Sequence, residues 1–256
     1  MKRQIAAIVL LLALTACSGG APDDDGASVA DLPASSAPLK HLHWRALVAA
    51  GDDVAPVFDN GVDRMRDILA ADGVGPIDRF TSDPELAAAD RLIATADNFA
   101  DALAKAPPKP GEGCFVFVTS HGSRRGLMMR GDLDRGRTFD PSTLGRILDQ
   151  GCGKAPTVAI VSGCFSGIFI GRVTTAPNRI ILTAARDDRT SFGCSAEETY
   201  TYFDDCVFQS WPGSRTFVDL YRATTACVLR KENALGAVHS EPQAFFGKAV
   251  ANLALP

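Results

Sequence analysis

Four stretches of the chain are apolar for most of their length and stop at small or polar residues. They are residues 43–52 (HWRALVAAGD), 114–123 (CFVFVTSHGS), 157–163 (TVAIVSG) and 179–188 (RIILTAARDD). Continuous apolar runs bounded in this way predict strands buried on both faces. Between the runs the apolar positions shift to helical spacing. Val62, Met65, Ile68 and Leu69 follow it within 60–73, and Gly73 supplies the stop. Residues 82–105 predict one helix, opened by Ser82-Asp83-Pro84-Glu85 and closed by the prolines that follow Lys105. Residues 140–153 predict a short capped helix. Residues 195–211 and 214–232 predict two more, separated at Pro212-Gly213. Residues 73–81 read as a short strand weakened by Pro76. Strands alternating with helices predict an α/β sandwich whose sheet is mainly parallel.

In such sheets, sites form beyond the carboxyl ends of the strands. Three of the runs finish in residues able to do chemistry: Asp52-Asp53, His121-Gly122 and Cys164. A structural cysteine would sit within its run, whereas Cys164 stands at the exit. One crossover helix fits between His121 and Cys164, so adjacent parallel strands would bring both to one edge. A thiol becomes a nucleophile when its thiolate is favoured, and a helix starting after Cys164 would favour it. A neighbouring imidazole can act as acid or base on the same substrate. Gly122, lacking a Cβ, lets its amide approach a reacting carbonyl. With the Cys164 amide it would form an oxyanion hole, in which each essential donor contributes about 3–4 kcal/mol. Taken singly, the histidine reads as a loop residue and the cysteine as a small buried hydrophobe. Their pairing at consecutive strand ends is what points to thiol catalysis.

The composition adds context. With 256 residues, 46% of them hydrophobic, the chain can bury a core as one domain. A net charge of −4 gives no electrostatic basis for a nucleic-acid partner. Residues 1–16 combine Lys2 and Arg3 with an apolar run too short for a membrane span, the pattern of a signal peptide. Leu14 to Cys17 (LTAC) resembles a bacterial lipobox, which implies lipid on Cys17 and anchoring to a membrane outside the cytoplasm. Ser18, where an Asp would retain the protein at the inner membrane, leans towards the periplasmic face of an outer membrane. The alternative is an ordinary secretory signal. Residues 17–40 then comprise the lipidated cysteine and a Gly/Ser/Pro/Asp-rich linker, and the folded domain spans 41–256.

Five cysteines remain once Cys17 and Cys164 are set aside: Cys114, Cys152, Cys194, Cys206 and Cys227. Export permits disulfides. Cys114 and Cys152 precede strands expected to be neighbours and so form the first candidate bridge. A second pair among Cys194, Cys206 and Cys227 is left open, with Cys194, near the expected pocket, a candidate to stay reduced. No cofactor is implied, no metal spacing occurs around His41 and His43, and no Cys-x-x-Cys suggests redox chemistry.

FVFVTSHGS followed by VAIVSGCFSG resembles the legumain-type cysteine peptidases, peptidase family C13 in the caspase-like clan. The family pattern is an apolar block before His-Gly and another before a small residue, Cys, any residue and Ser-Gly. Residues 181–203 are similar to the family's next strand, pocket loop and helix, and residues 47–65 to its first strand and helix. The resemblance covers roughly 43–210. It implies a caspase-like three-layer sandwich, with His121 and Cys164 as the catalytic dyad of an endopeptidase acting on a peptide or protein substrate. Ser191 matches a position lining the pocket for the residue before the cut. Ser162 stands where legumains carry Glu, and Val57 to Asn60 stand where they carry Asn-x-Arg, so asparagine specificity is not implied. Asp59 or Asn60 is expected to face the pocket and favour a basic or polar residue; the alternative is that the two cap a helix. Two rival readings stay open. One is a transpeptidase or ligase using the same acyl-enzyme, and the other a silent binding module.

Overall fold

The computed structural model describes residues 42–133 and 135–256. The chain runs β1 (His43–Ala50), α1 (Val57–Ala71), β2 (Ile77–Thr81), α2 (Pro84–Asp90), β3 (Leu92–Ile93), α3 (Ala96–Lys105) and β4 (Glu112–Thr119). A small hairpin follows, β5 (Gly122–Ser123) and β6 (Gly126–Leu127), then α4 (Arg130–Leu133), α5 (Pro141–Ile147) and β7 (Thr157–Ser162). The last part holds β8 (Arg179–Thr183), α6 (Tyr202–Ser210), α7 (Phe217–Leu235) and β9 (Gln243–Phe246). The main sheet has strand order β3-β2-β1-β4-β7-β8-β9. Every neighbouring pair is parallel except β8 with β9. Helices cover both faces, as in the caspase-like sandwich that the apolar runs and the resemblance led us to expect.

Side-chain alternation along the strands divides the core in two. Phe115 and Phe117 of β4, with Val158 and Ile160 of β7, pack beneath α1, α6 and α7. Cys114, Val116 and Val118, with Ala159 and Val161, pack beneath α3 and α5. Helix α1 turns Val62, Met65 and Leu69 into the first core, and Ile68 packs against it, following the expected spacing.

Several elements differ from the sequence expectation. Residues 82–105 form two helices rather than one. Asp83 caps α2 through the amides of Glu85 and Leu86, and Thr95 caps α3 through the amide of Asn98. Between them Leu92 and Ile93 leave the helical path to pair with Phe80 and Thr81 of β2. Strand pairing at the sheet edge thus overrides a locally helical sequence. Residues 195–201 are not helical; α6 begins after Thr201, whose hydroxyl accepts from the Asp204 amide. Helix α7 opens with a Thr216–Asp219 capping box. Strand β9 was not anticipated, because four residues carry too little periodicity to register.

Two disulfides form, Cys114–Cys152 and Cys206–Cys227. The first is the bridge expected, although Cys114 lies within β4 rather than before it. Cys194 is free. The signal peptide, Cys17 and linker expected from the sequence fall outside the described residues. Among the described residues no helix is long and apolar enough to cross a membrane.

Candidate active site at the tips of β4 and β7

Strands β4 and β7 are paired in register, with Thr119 opposite Ser162 at the last rung. The pairing continues one step further, since the Ser120 amide donates to the Ser162 carbonyl at 3.0 Å. His121 and Cys164 each lie two residues beyond that rung. Strands so paired lie about 4.8 Å apart. The His121 ring packs edge-on against Phe58 of α1, with centroids 5.1 Å apart. Both residues are partly exposed.

Two glycines bring the tips together. A Cβ at Gly122 would stand inside the van der Waals radius of the Cys164 carbonyl oxygen and 2.9 Å from the Cys164 amide nitrogen. A Cβ at Gly163 would lie 2.6 Å from Leu127 and 2.7 Å from the Ser120 carbonyl oxygen. The backbones of the His-Gly and Gly-Cys turns therefore touch, an approach that side chains at these positions would block. Beyond Cys164 the chain turns sharply, because Phe165 adopts the left-handed conformation with φ of 59°. A non-glycine residue in that region carries strain of about 1–2 kcal/mol. Phe165 is held by its amide, which donates to the Arg189 carbonyl at 2.7 Å, and by the Arg124 guanidinium lying 5.2 Å over its ring. The helix expected after Cys164 is only the 3-10 turn Ser166–Phe169, too short to act as a dipole on the thiol.

The sulfur of Cys164 rests against the loop after β8. The Ser191 amide donates to it at 3.3 Å, and the Ser191 carbonyl and hydroxyl oxygens lie 3.6 and 3.7 Å away. Ser191, expected in the pocket from sequence, is thus brought to the thiol itself. The amide makes the shortest of these contacts. Because that donor is backbone, Ser191→Ala is expected to change the alkylation rate of Cys164 by less than about threefold, measured with iodoacetamide and peptide mapping. A larger loss would assign the hydroxyl a part. Cys194 shares this loop. Burial, and then the neighbouring Cys164, push its thiol pKa up.

The remaining expected residues are placed differently. Asp59 is buried and its carboxylate is bonded by Arg91 at 2.6 Å. Burial raises its pKa, against the opposing hydroxyl of Thr81 and the Arg91 charge. It is therefore not a free anion facing a pocket, nor does it cap α1, whose first turn has no side-chain cap. The Asn60 amide group donates to the Thr199 carbonyl at 3.1 Å and so tethers α1 to the loop before α6. Ser162 is buried beneath the tips rather than exposed above them. At the neighbouring β1 exit, Arg130 bridges Asp52 and Asp53, which neutralises the acidic pair noted in the sequence. Among the described residues no group of His, Cys, Asp and Glu could hold a metal ion.

No curated protein matches the chain. Residues 108–228 match the model of the Peptidase C13 family, and that segment contains β4, β7 and both tips, but not β1 and α1, where the resemblance was expected to begin. Through this segment the chain is assigned to the peptidase C13 family, a family of cysteine peptidases.

Proposed function

We propose that the protein is a cysteine endopeptidase in which Cys164 is the nucleophile and His121 the acid–base partner. The observation that supports this reading is the in-register pairing of β4 and β7, whose last rung, Thr119 with Ser162, comes two residues before His121 and two before Cys164. The Cys164 thiolate attacks the peptide carbonyl, and the negative charge moves to the carbonyl oxygen. The amides of Gly122 and Cys164 receive that oxyanion. The tetrahedral intermediate collapses with loss of the C–N bond, and His121 protonates the departing amine. Water then adds to the thioester, the carboxylic product leaves, and the thiol is restored. Ser191 steadies the sulfur throughout by its amide. The substrate is a peptide or protein segment, and on the sequence pattern the domain works tethered to a membrane by lipid on Cys17.

A peptidyl probe bearing a thiol-reactive group tests this. Labelling is expected on Cys164, lost in Cys164→Ala, and lowered by about a hundredfold in His121→Ala. Equal labelling of wild type and Cys164→Ala, or labelling of Cys194 instead, would remove Cys164 from the role.

A further inference from the structure

One buried acid is left unused by the mechanism above. Asp204, in the first turn of α6, is fully buried, and aspartate is almost never so placed unless paired. Among the described residues its partners are hydroxyls rather than cations. Thr119 Oγ1 donates to Oδ2 at 2.6 Å. The other oxygen, Oδ1, is buried without a hydrogen-bond partner among the described residues. Burial pushes the Asp204 pKa up to about 6, while the hydroxyls of Thr119, Ser162 and Thr201 hold it down and Asp205 adds to the rise.

The identity of two of these hydroxyls gives the acid its place. Thr119 and Ser162 are register partners at the last rung of β4 and β7. His121 and Cys164 follow them in the chain by two residues each, so the carboxyl is bonded at the rung just before both. Helix α1 closes the remaining side, where a Cβ at Gly61 would lie 3.4 Å from Asp204 Oδ2 and 3.6 Å from Thr119 Cγ2.

We propose that Asp204 is a positioning residue for Cys164 and His121, acting through Thr119 to hold the last rung of β4 and β7 against α6. This rests on the reading that Cys164 and His121 are the working pair. A buried carboxyl bonded to the Thr119 hydroxyl ties the last residue of β4, which pairs with Ser162 of β7, to α6. Its ionisation places a charge beside Thr119, two residues before His121, with no cation among its partners in the described residues. Asp205 of α6 is bonded by Lys231 of α7 at 2.7 Å, and Asp59 and Asp63 of α1 are held by Arg91. His121, beyond Thr119, is the remaining titratable group on β4 at this end.

The alkylation rate of Cys164 by iodoacetamide, followed by peptide mapping on the full chain from about pH 4 to 9, tests the proposal. Wild type is expected to show an inflection near the Asp204 value of about 6. Asp204→Asn keeps the shape and the acceptor for Thr119, and is expected to lose that inflection. Thr119→Val removes a group that holds the pKa down, and is expected to move the inflection upward. A merely structural Asp204 would leave all three profiles superimposed, and that result overturns the proposal, as does a wild-type profile without the inflection. Should Asp204→Asn fail to fold, the shift in Thr119→Val decides. Peptide cleavage, scored in parallel, separates the two readings. The expected profiles without cleavage would keep the positioning role and remove the peptidase. Cleavage with superimposed profiles would do the reverse.

Discussion

Gly122→Ala is expected to lower peptide turnover by about a thousandfold, as deep a loss as most changes to the reacting groups themselves. The reason is backbone contact. The added methyl would occupy the space of the Cys164 carbonyl oxygen and press on the Cys164 amide. The β4 and β7 tips would have to separate, and a displacement of about 1 Å at reacting atoms already costs on the order of a hundredfold. The same displacement moves the Gly122 and Cys164 amides, and since one misplaced oxyanion donor by itself costs about a hundred- to a thousandfold, the overlapping losses together reach about a thousandfold. Hydrolysis of a fluorogenic peptide, normalised to folded protein, reads the effect. Because the strain falls on two exposed turns, the melting temperature is expected to move far less than the rate. Turnover within about tenfold of wild type would show that the tips can separate without loss of the reaction.

The two tips could be read from the sequence because their signal is local. An apolar run that stops at His-Gly or Gly-Cys names the strand, its exit and the exposed residue together. Parallel pairing then follows from the crossover helix between them. What escaped the sequence is long-range. Asp204 and Asp205 are adjacent letters in FDDC, yet one is fully buried under the site while the other pairs with Lys231 at the surface. Nothing short of the packing of α6 on β4 and β7 distinguishes them. Asp59 was expected to be available because its partner, Arg91, sits in a segment that reads as the middle of a helix. That helix is broken where Leu92 and Ile93 pair with β2, and the break is what delivers Arg91 to Asp59 and Asp63. One misreading thus produced the other. The left-handed turn at Phe165 has no sequence signal at all, since glycine is the residue that normally marks such a conformation.

These errors share a direction. The surroundings of the two tips contributed by α1 and by the loops after β8 and before α6 were the least legible part. The family match likewise begins at residue 108, after α1. The placement of Cys164 and His121 therefore follows from where two strands end, whereas that of Asp59, Asn60 and Ser191 depends on helix and loop packing. Charge reversal at Asp59 relative to the legumain pattern does not by itself create a site for a basic substrate, because Arg91 already fills it.

Loss of the disulfides is expected to have the largest effect on stability, and the two should differ in their effect on turnover. Cys114 and Cys152 are separated by 38 residues, and Cys206 and Cys227 by 21. The entropy of closing such loops in the unfolded chain corresponds to about 4 and 3 kcal/mol respectively. At roughly 2–4 °C per kcal/mol for a domain of this size, each double alanine variant should melt about 10 °C below wild type. Replacing Cys114 and Cys152 removes a bridge at the far end of β4, about 23 Å along the strand from His121, so turnover per folded molecule is expected to stay within about twofold. Replacing Cys206 and Cys227 frees α6 from α7 two residues from Asp204, the acid beneath the Thr119–Ser162 rung. There the rate is expected to fall together with the melting temperature, by about tenfold. Equal turnover in the two variants, both measured well below their melting temperatures, would mean that α6 holds its place against the strand tips without the bridge.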